Sequence, residues 1–185
     1  MEFHGHSCQS PDERDKLVRE KIAKEDEMEA QATGDSRLIV LEHLGKLGYR
    51  EDEIETDRPF EVTTGTHSDA CSMDYLVTLG GRSFMAIKCT MAIESRERHV
   101  LSFCRCAQEH LIPMAVASDG LTAYVLDTKS GKRVSEGLDS MPDRDAALRF
   151  LDQNPPEPYP EAKAAKEKLI LLAFETTLCQ KPEAE

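Results

Sequence analysis

Asp74 and Lys88 are the residues whose types and spacing could do chemistry in this chain. Asp74 opens one apolar run, Asp74 to Leu79, and Lys88 lies near the end of a second, Arg82 to Cys89. Gly80-Gly81 joins the two runs, and a two-glycine link between apolar runs is the signal of a tight hairpin, whose turn residues need positive φ. The pairing would bring the carboxylate and the ammonium to one margin of a sheet. A carboxylate beside a lysine is the minimal kit for metal-assisted phosphodiester hydrolysis. The acid holds Mg²⁺, the ion activates water, and the ammonium orients that water or stabilises the developing charge. Magnesium usually takes oxygen from more than one carboxylate. Side chains alternate along a strand, so the position sharing a face with Lys88 is Ala86. It supplies no oxygen. The plainer reading gives Lys88 a snorkelling role and makes Asp74 a turn residue.

The elements that must position this pair can be read from the surrounding pattern. Ser10-Pro11-Asp12-Glu13 is a helix start, with Ser10 as cap, and the helix is expected to run to about Ala32 and stop at Gly34. Its apolar positions are few (Leu17, Val18, Ile22 and Met28), as in a solvated or partner-binding helix. A second helix is expected from Ser36 to Leu47, stopped by Gly48, with Leu38, Val40, Leu41, Leu44 and Leu47 turned to the core. Phe60 to Thr64 alternates as a strand. Ile93 to His110 reads as a helix ended by Pro113, Met114 to Ala117 and Thr122 to Asp127 as strands, and Lys129 to Gly137 as a polar loop. Pro142 and Asp143 open a short helix ending near Leu151. The segment Asn154-Pro155-Pro156-Glu157-Pro158-Tyr159-Pro160 is a stiff linker, and a last helix spans Glu161 to Leu178.

This order predicts a mixed α/β fold, with helices packed on the sheet and accessory helices at both ends. The expected division is an acidic N-terminal helical extension over 1–35, a core domain over 36–133 and a C-terminal helical extension over 134–185. The net charge of −12 is concentrated in the flanks: residues 1–35 hold 5 basic and 10 acidic side chains, and 134–185 hold 6 and 11. The core holds 12 and 14, which leaves room for local DNA contacts but compels none. With 39% hydrophobic residues and no apolar run of membrane-spanning length, the chain reads as a cytoplasmic protein. The six cysteines are expected to be reduced thiols. His4, His6 and Cys8 are three zinc-type ligands where about four must converge.

Residues 37–127 resemble the N-terminal domain of type I restriction enzyme R subunits, a branch of the PD-(D/E)XK nuclease superfamily. The resemblance covers about half of the chain. It begins in the helix leading to Gly48-Tyr49 and continues through Asp74-Tyr75-Leu76-Val77 and Phe84-Met85-Ala86-Ile87-Lys88-Cys89. It closes in Ile112-Pro113-Met114-Ala115-Val116-Ala117 and Asp119-Gly120-Leu121-Thr122-Ala123-Tyr124. It implies a restriction-endonuclease-like core, with Asp74 as metal ligand, Lys88 as catalytic lysine and Mg²⁺ as cofactor. Ala86 stands where the family has its glutamate, and Ser102 and Cys106 stand where it often has Gln and Tyr. The acid nominated to complete a metal site is Glu42 on the first core helix, ahead of Glu94 and Glu97. The chain lacks the Gly-x-x-x-x-Gly-Lys-Ser/Thr loop of a DNA-translocating motor. The expectation is therefore a nuclease-type domain with an incomplete motif. The alternatives are a non-catalytic module binding nucleic acid or protein, or a small protein pairing with a partner or a second copy through its terminal helices.

Overall fold

The computed structural model describes residues 11–178 with the exception of residue 66. Ser10, the His4/His6/Cys8 group and Cys179 lie outside the described residues.

Helix α1 (Pro11–Lys46) is one continuous helix where two were expected. Gly34 does not stop it, because Gly34 is not in the left-handed conformation that terminates helices. A helical glycine in place of alanine costs only about 1 kcal/mol. Ser36 closes over the predicted break, its Oγ donating to Ala32 O at 2.8 Å and reaching Asp119 O at 2.6 Å. The true stop is Gly48, at φ 88°. The apolar side is also thinner than the sequence suggests. Val40 and Leu44, four apart, are fully buried, whereas Leu38 and Leu41 are exposed.

Six strands form the main sheet: β1 (Ile54–Thr56), β4 (Tyr75–Leu79), β5 (Arg82–Cys89), β6 (Met114–Ser118), β7 (Ala123–Asp127) and β8 (Lys132–Glu136), in that spatial order. Strands β2 (Phe60–Thr64) and β3 (His67–Cys71) make a separate antiparallel pair. The β4–β5 hairpin turns at Gly80 and Gly81, both at positive φ as expected, at 57° and 79°. From β5 the chain crosses through helix α2 (Ile93–Cys106) to β6, which runs parallel to β5. Helix α2 ends at Cys106, short of the predicted His110, and Ile112 N returns to Cys104 O. All other neighbouring strands in this sheet are antiparallel.

The central strands are covered on both faces, which explains their unbroken apolar runs. On one face, Leu76, Ala86, Ala115, Ala117 and Leu126 meet Val100 and Phe103 of α2 and Leu171 of helix α4 (Glu161–Leu178). On the other, Tyr75, Val77, Ile87, Val116 and Val125 meet Val40 and Leu44 of α1 and Ala147 and Leu151 of helix α3 (Arg144–Gln153). Asp143 caps α3, accepting from Ala146 N. The segment 129–137, expected as a polar loop, contains β8. Its Lys, Arg and Glu are the composition of an edge strand, which hydrophobic periodicity does not mark. No described helix is long and apolar enough to cross a membrane.

Candidate functional site

Asp74 immediately precedes β4, and the pairing of Tyr75 with Ile87 and with Thr56 places it where β5 and β1 finish. Its carboxylate is buried. Oδ2 accepts from Cys89 N at 2.7 Å and lies 3.4 Å from Lys88 Nζ. The two residues nominated from sequence therefore meet at one sheet margin. Cys89 turns its side chain into the α1-facing core, leaving its N–H for Asp74.

The structure adds two residues that sequence reasoning missed. Arg37, on α1, brings Nη1 to 3.3 Å from Asp74 Oδ1. Its Nη2 donates to Asp57 Oδ2 at 2.5 Å. Asp57 follows β1, adopts φ 49°, which aspartate tolerates, and donates its N–H to Asp74 O at 3.3 Å. Tyr75 holds Arg37 from behind: its hydroxyl donates to Arg37 O at 2.8 Å, and its ring lies under the guanidinium. One guanidinium thus joins two carboxylates. The hydrogen bond to Asp57 raises the pKa of Arg37 above its ordinary value, and the charge of Asp74 adds to this against the cost of burial. The signal that could have found Arg37 is its position, a lone cation opening the run Leu38-Ile39-Val40-Leu41.

The other nominated acids go elsewhere. Glu42 stands exposed on α1, five residues beyond Arg37 and so about 140° around the helix. Glu94 accepts from the Tyr124 hydroxyl at 3.3 Å, and Glu97 pairs with Arg133. Ala86 is fully buried opposite Leu76 and Ala115, so its face carries methyl groups where an oxygen ligand would stand. The residues present do not fit a magnesium ion. Asp74 is one carboxylate whose oxygens already meet two cations and an N–H, and among the described residues no three His, Cys, Asp or Glu side chains converge as ligands.

Ser102 and Cys106 face α4. Ser102 Oγ donates to Glu167 Oε2 at 2.9 Å, and Cys106 Sγ reaches back to Ser102 O. Glu167 is the centre of a second ionic cluster, with Arg98 at 2.6 Å and Arg105 at 2.9 Å. Arg105 also donates Nε to Thr128 O. This cluster fastens α4 to α2. The buried thiols offer no nucleophile: burial pushes Cys71, Cys89, Cys104 and Cys106 up to about 12.

A cleft of about 440 Å³ lies at the opposite end of the β4–β5 hairpin, lined by Arg82, His110, Lys129 and Asn154 among others. Its cations are committed. Arg82 donates to Leu151 O and Asn154 O, Lys129 pairs with Glu157, and Arg58 pairs with Glu55. No family model, curated protein or solved structure matches the chain.

Proposed function

We propose that this chain is a non-catalytic binding module built on a PD-(D/E)XK nuclease-type core, resembling the N-terminal domain of type I restriction R subunits. The observation that carries the reading is the guanidinium of Arg37 on Asp74. Where a nuclease of this kind would hold a divalent cation between carboxylates, this chain supplies a cation of its own. Three further features support it. The order helix, three antiparallel strands of the main sheet, crossover helix and parallel strand suits the ancestry. Asp74 and Lys88 meet at the sheet margin, as the resemblance would have it. Ala86 removes the second acid. The net charge of −12 favours a protein partner over a polyanion, since phosphate contacts draw on Lys and Arg.

A second reading, retained Mg²⁺-dependent DNA cleavage, draws on Asp57. If Arg37 withdrew, Asp57 and Asp74 would be two carboxylates without their shared cation, Asp74 beside Lys88, and magnesium takes oxygen from more than one carboxylate. A cleavage assay separates the two readings. The protein is incubated with supercoiled and linear DNA in millimolar Mg²⁺ or Mn²⁺, alongside Asp74→Asn and Lys88→Ala. The binding-module reading expects the three proteins to be equally inactive. Nicking that disappears in both variants would establish the nuclease reading in its place.

A further inference from the structure

Among the described residues, none packs closely on the N-terminal half of α1. Every described side chain from residue 14 to residue 31 is exposed, and burial begins only at Ser36. An unsupported helix of this length is marginal in water, because its stability comes mainly from burying an apolar face. A face of that kind is present. Leu17 and Met28 lie eleven residues apart, which is close to three full turns, so they stand nearly in line; Val18 and Ile22 widen the face on one side, about 100° and 140° round from Leu17. Their exposures are 43%, 56%, 49% and 52% respectively. An exposed apolar strip rimmed by charge marks an interaction surface.

The charge along the same helix specifies what covers it. Residues 14–24 carry Arg14, Lys16, Arg19, Lys21 and Lys24 against Asp15 and Glu20, a net of +3. Residues 25–35 carry Glu25, Asp26, Glu27, Glu29 and Asp35 with no basic residue, a net of −5. The segment is a basic half joined to an acidic half. Two copies laid parallel would set like charge on like charge. Laid antiparallel, each basic half lies along the acidic half of the other copy. A crossing near Ile22 then places Leu17 of one copy beside Met28 of the other. Along the axis, the same crossing sets Lys16 level with Glu29 and Arg19 level with Asp26.

We infer that the free part of α1 is a self-association element that pairs antiparallel with the same helix of a second copy. The interface is isologous, as two-fold pairing requires. The apolar strip supplies affinity, and the split charge supplies orientation. The inference is independent of the nuclease ancestry, since it uses no residue of the Asp74 cluster.

The test is sedimentation equilibrium of the full chain at low and high salt. A monomer–dimer equilibrium is expected, weakening roughly tenfold or more as salt screens the pairing of the two halves. Two charge variants extend it: Lys16→Glu/Arg19→Glu/Lys21→Glu, net acidic in both halves, and Glu25→Lys/Asp26→Lys/Glu27→Lys/Glu29→Lys, net basic in both halves. Each alone is expected to be monomeric, and their mixture to form a heterodimer. All seven positions are exposed and outside the packed core, so near-ultraviolet circular dichroism should report an unchanged body. For orientation, Leu17→Cys combined with Met28→Cys is expected to form a disulfide between copies, and Leu17→Cys alone is not. A wild-type chain that stays monomeric at low salt overturns the proposal, as does dimerisation of either charge variant by itself. Efficient cross-linking of Leu17→Cys alone overturns the antiparallel arrangement.

Discussion

Asp74 and Glu167 are both buried carboxylates, 5% and 6% exposed at their side chains, and each meets two cations. They differ in the elements that supply the cations. Around Glu167, Arg105 is 9% exposed and Arg98 43%, and every partner belongs to α2, the helix against which α4 lies. Around Asp74, Arg37 and Lys88 are 28% and 23% exposed, and the partners come from α1 and β5, with Asp57 beyond them. The first cluster joins two helices around one deeply buried guanidinium, Arg105, and acts as a staple. The second joins a helix to a sheet margin and holds no cation buried as deeply. Burial of a carboxylate beside cations therefore does not identify a site; the elements that supply the cations distinguish the two clusters.

Glu167→Ala leaves Arg105 buried without its counter-charge and should cost about 3–5 kcal/mol, read from denaturant unfolding, with α4 loosened first. If the loss is under about 1 kcal/mol, the staple reading fails, since exposed ion pairs contribute only that much. Asp74→Ala strands the Cys89 N–H but leaves Arg37 and Lys88 room to reach water. A smaller loss, about 2 kcal/mol, is expected in the same experiment. Equal losses at the two positions would erase the distinction between the two clusters.

Acid titration sharpens it. Glu53, held by hydrogen bonds from Arg144 and then from Arg50, has its pKa lowered from 4.5 to about 2. Glu167 is lowered too, the bonds from Arg98 and Ser102 outweighing its burial. Both groups have depressed folded-state values. Their stabilisation is therefore complete above about pH 4.5 and is lost as pH falls through the folded value, near 2 for Glu53. Stability measured from pH 4.5 downward should decline steeply in the wild type and less steeply in Glu53→Gln. An unchanged slope would show that Glu53 carries no such linkage. The smallest change belongs to Lys88→Ala, expected at about 1 kcal/mol or less because its ammonium is partly solvated.

Much of this architecture is legible in residue order. Gly80-Gly81 announces the hairpin, Glu161 to Leu178 the last helix, and the Asp74–Lys88 meeting comes from alternation along paired strands. The failures have physical reasons. Gly34 resembles a helix stop, yet only a left-handed backbone makes it one. Contacts of the next turn decide that conformation, and they come from Ser36, tied to both Ala32 and Asp119. Strands β3 and β8 are polar edge strands, so their pairing is dictated by their neighbours in the sheet and not by their own pattern. Within the site, sequence reasoning nominates Glu42 as the acid on the first core helix. The residue that reaches Asp74 from that helix is Arg37, of opposite charge. Which side of a helix faces a sheet margin depends on helix rotation, which the positions of Val40 and Leu44 set. A 36-residue helix interrupted by glycine in sequence hides that phase.

The central claim is that the position next to Asp74 belongs to a guanidinium and not to a metal ion. It is tested most directly by titrating Mn²⁺ into the isotopically labelled protein and monitoring paramagnetic broadening of the amides of Asp57, Asp74 and Lys88. No selective broadening is expected there in the wild type, and broadening is expected in Arg37→Ala, where the two carboxylates lose their shared cation. Selective broadening at these three residues in the wild type, abolished by Asp74→Asn, would contradict it.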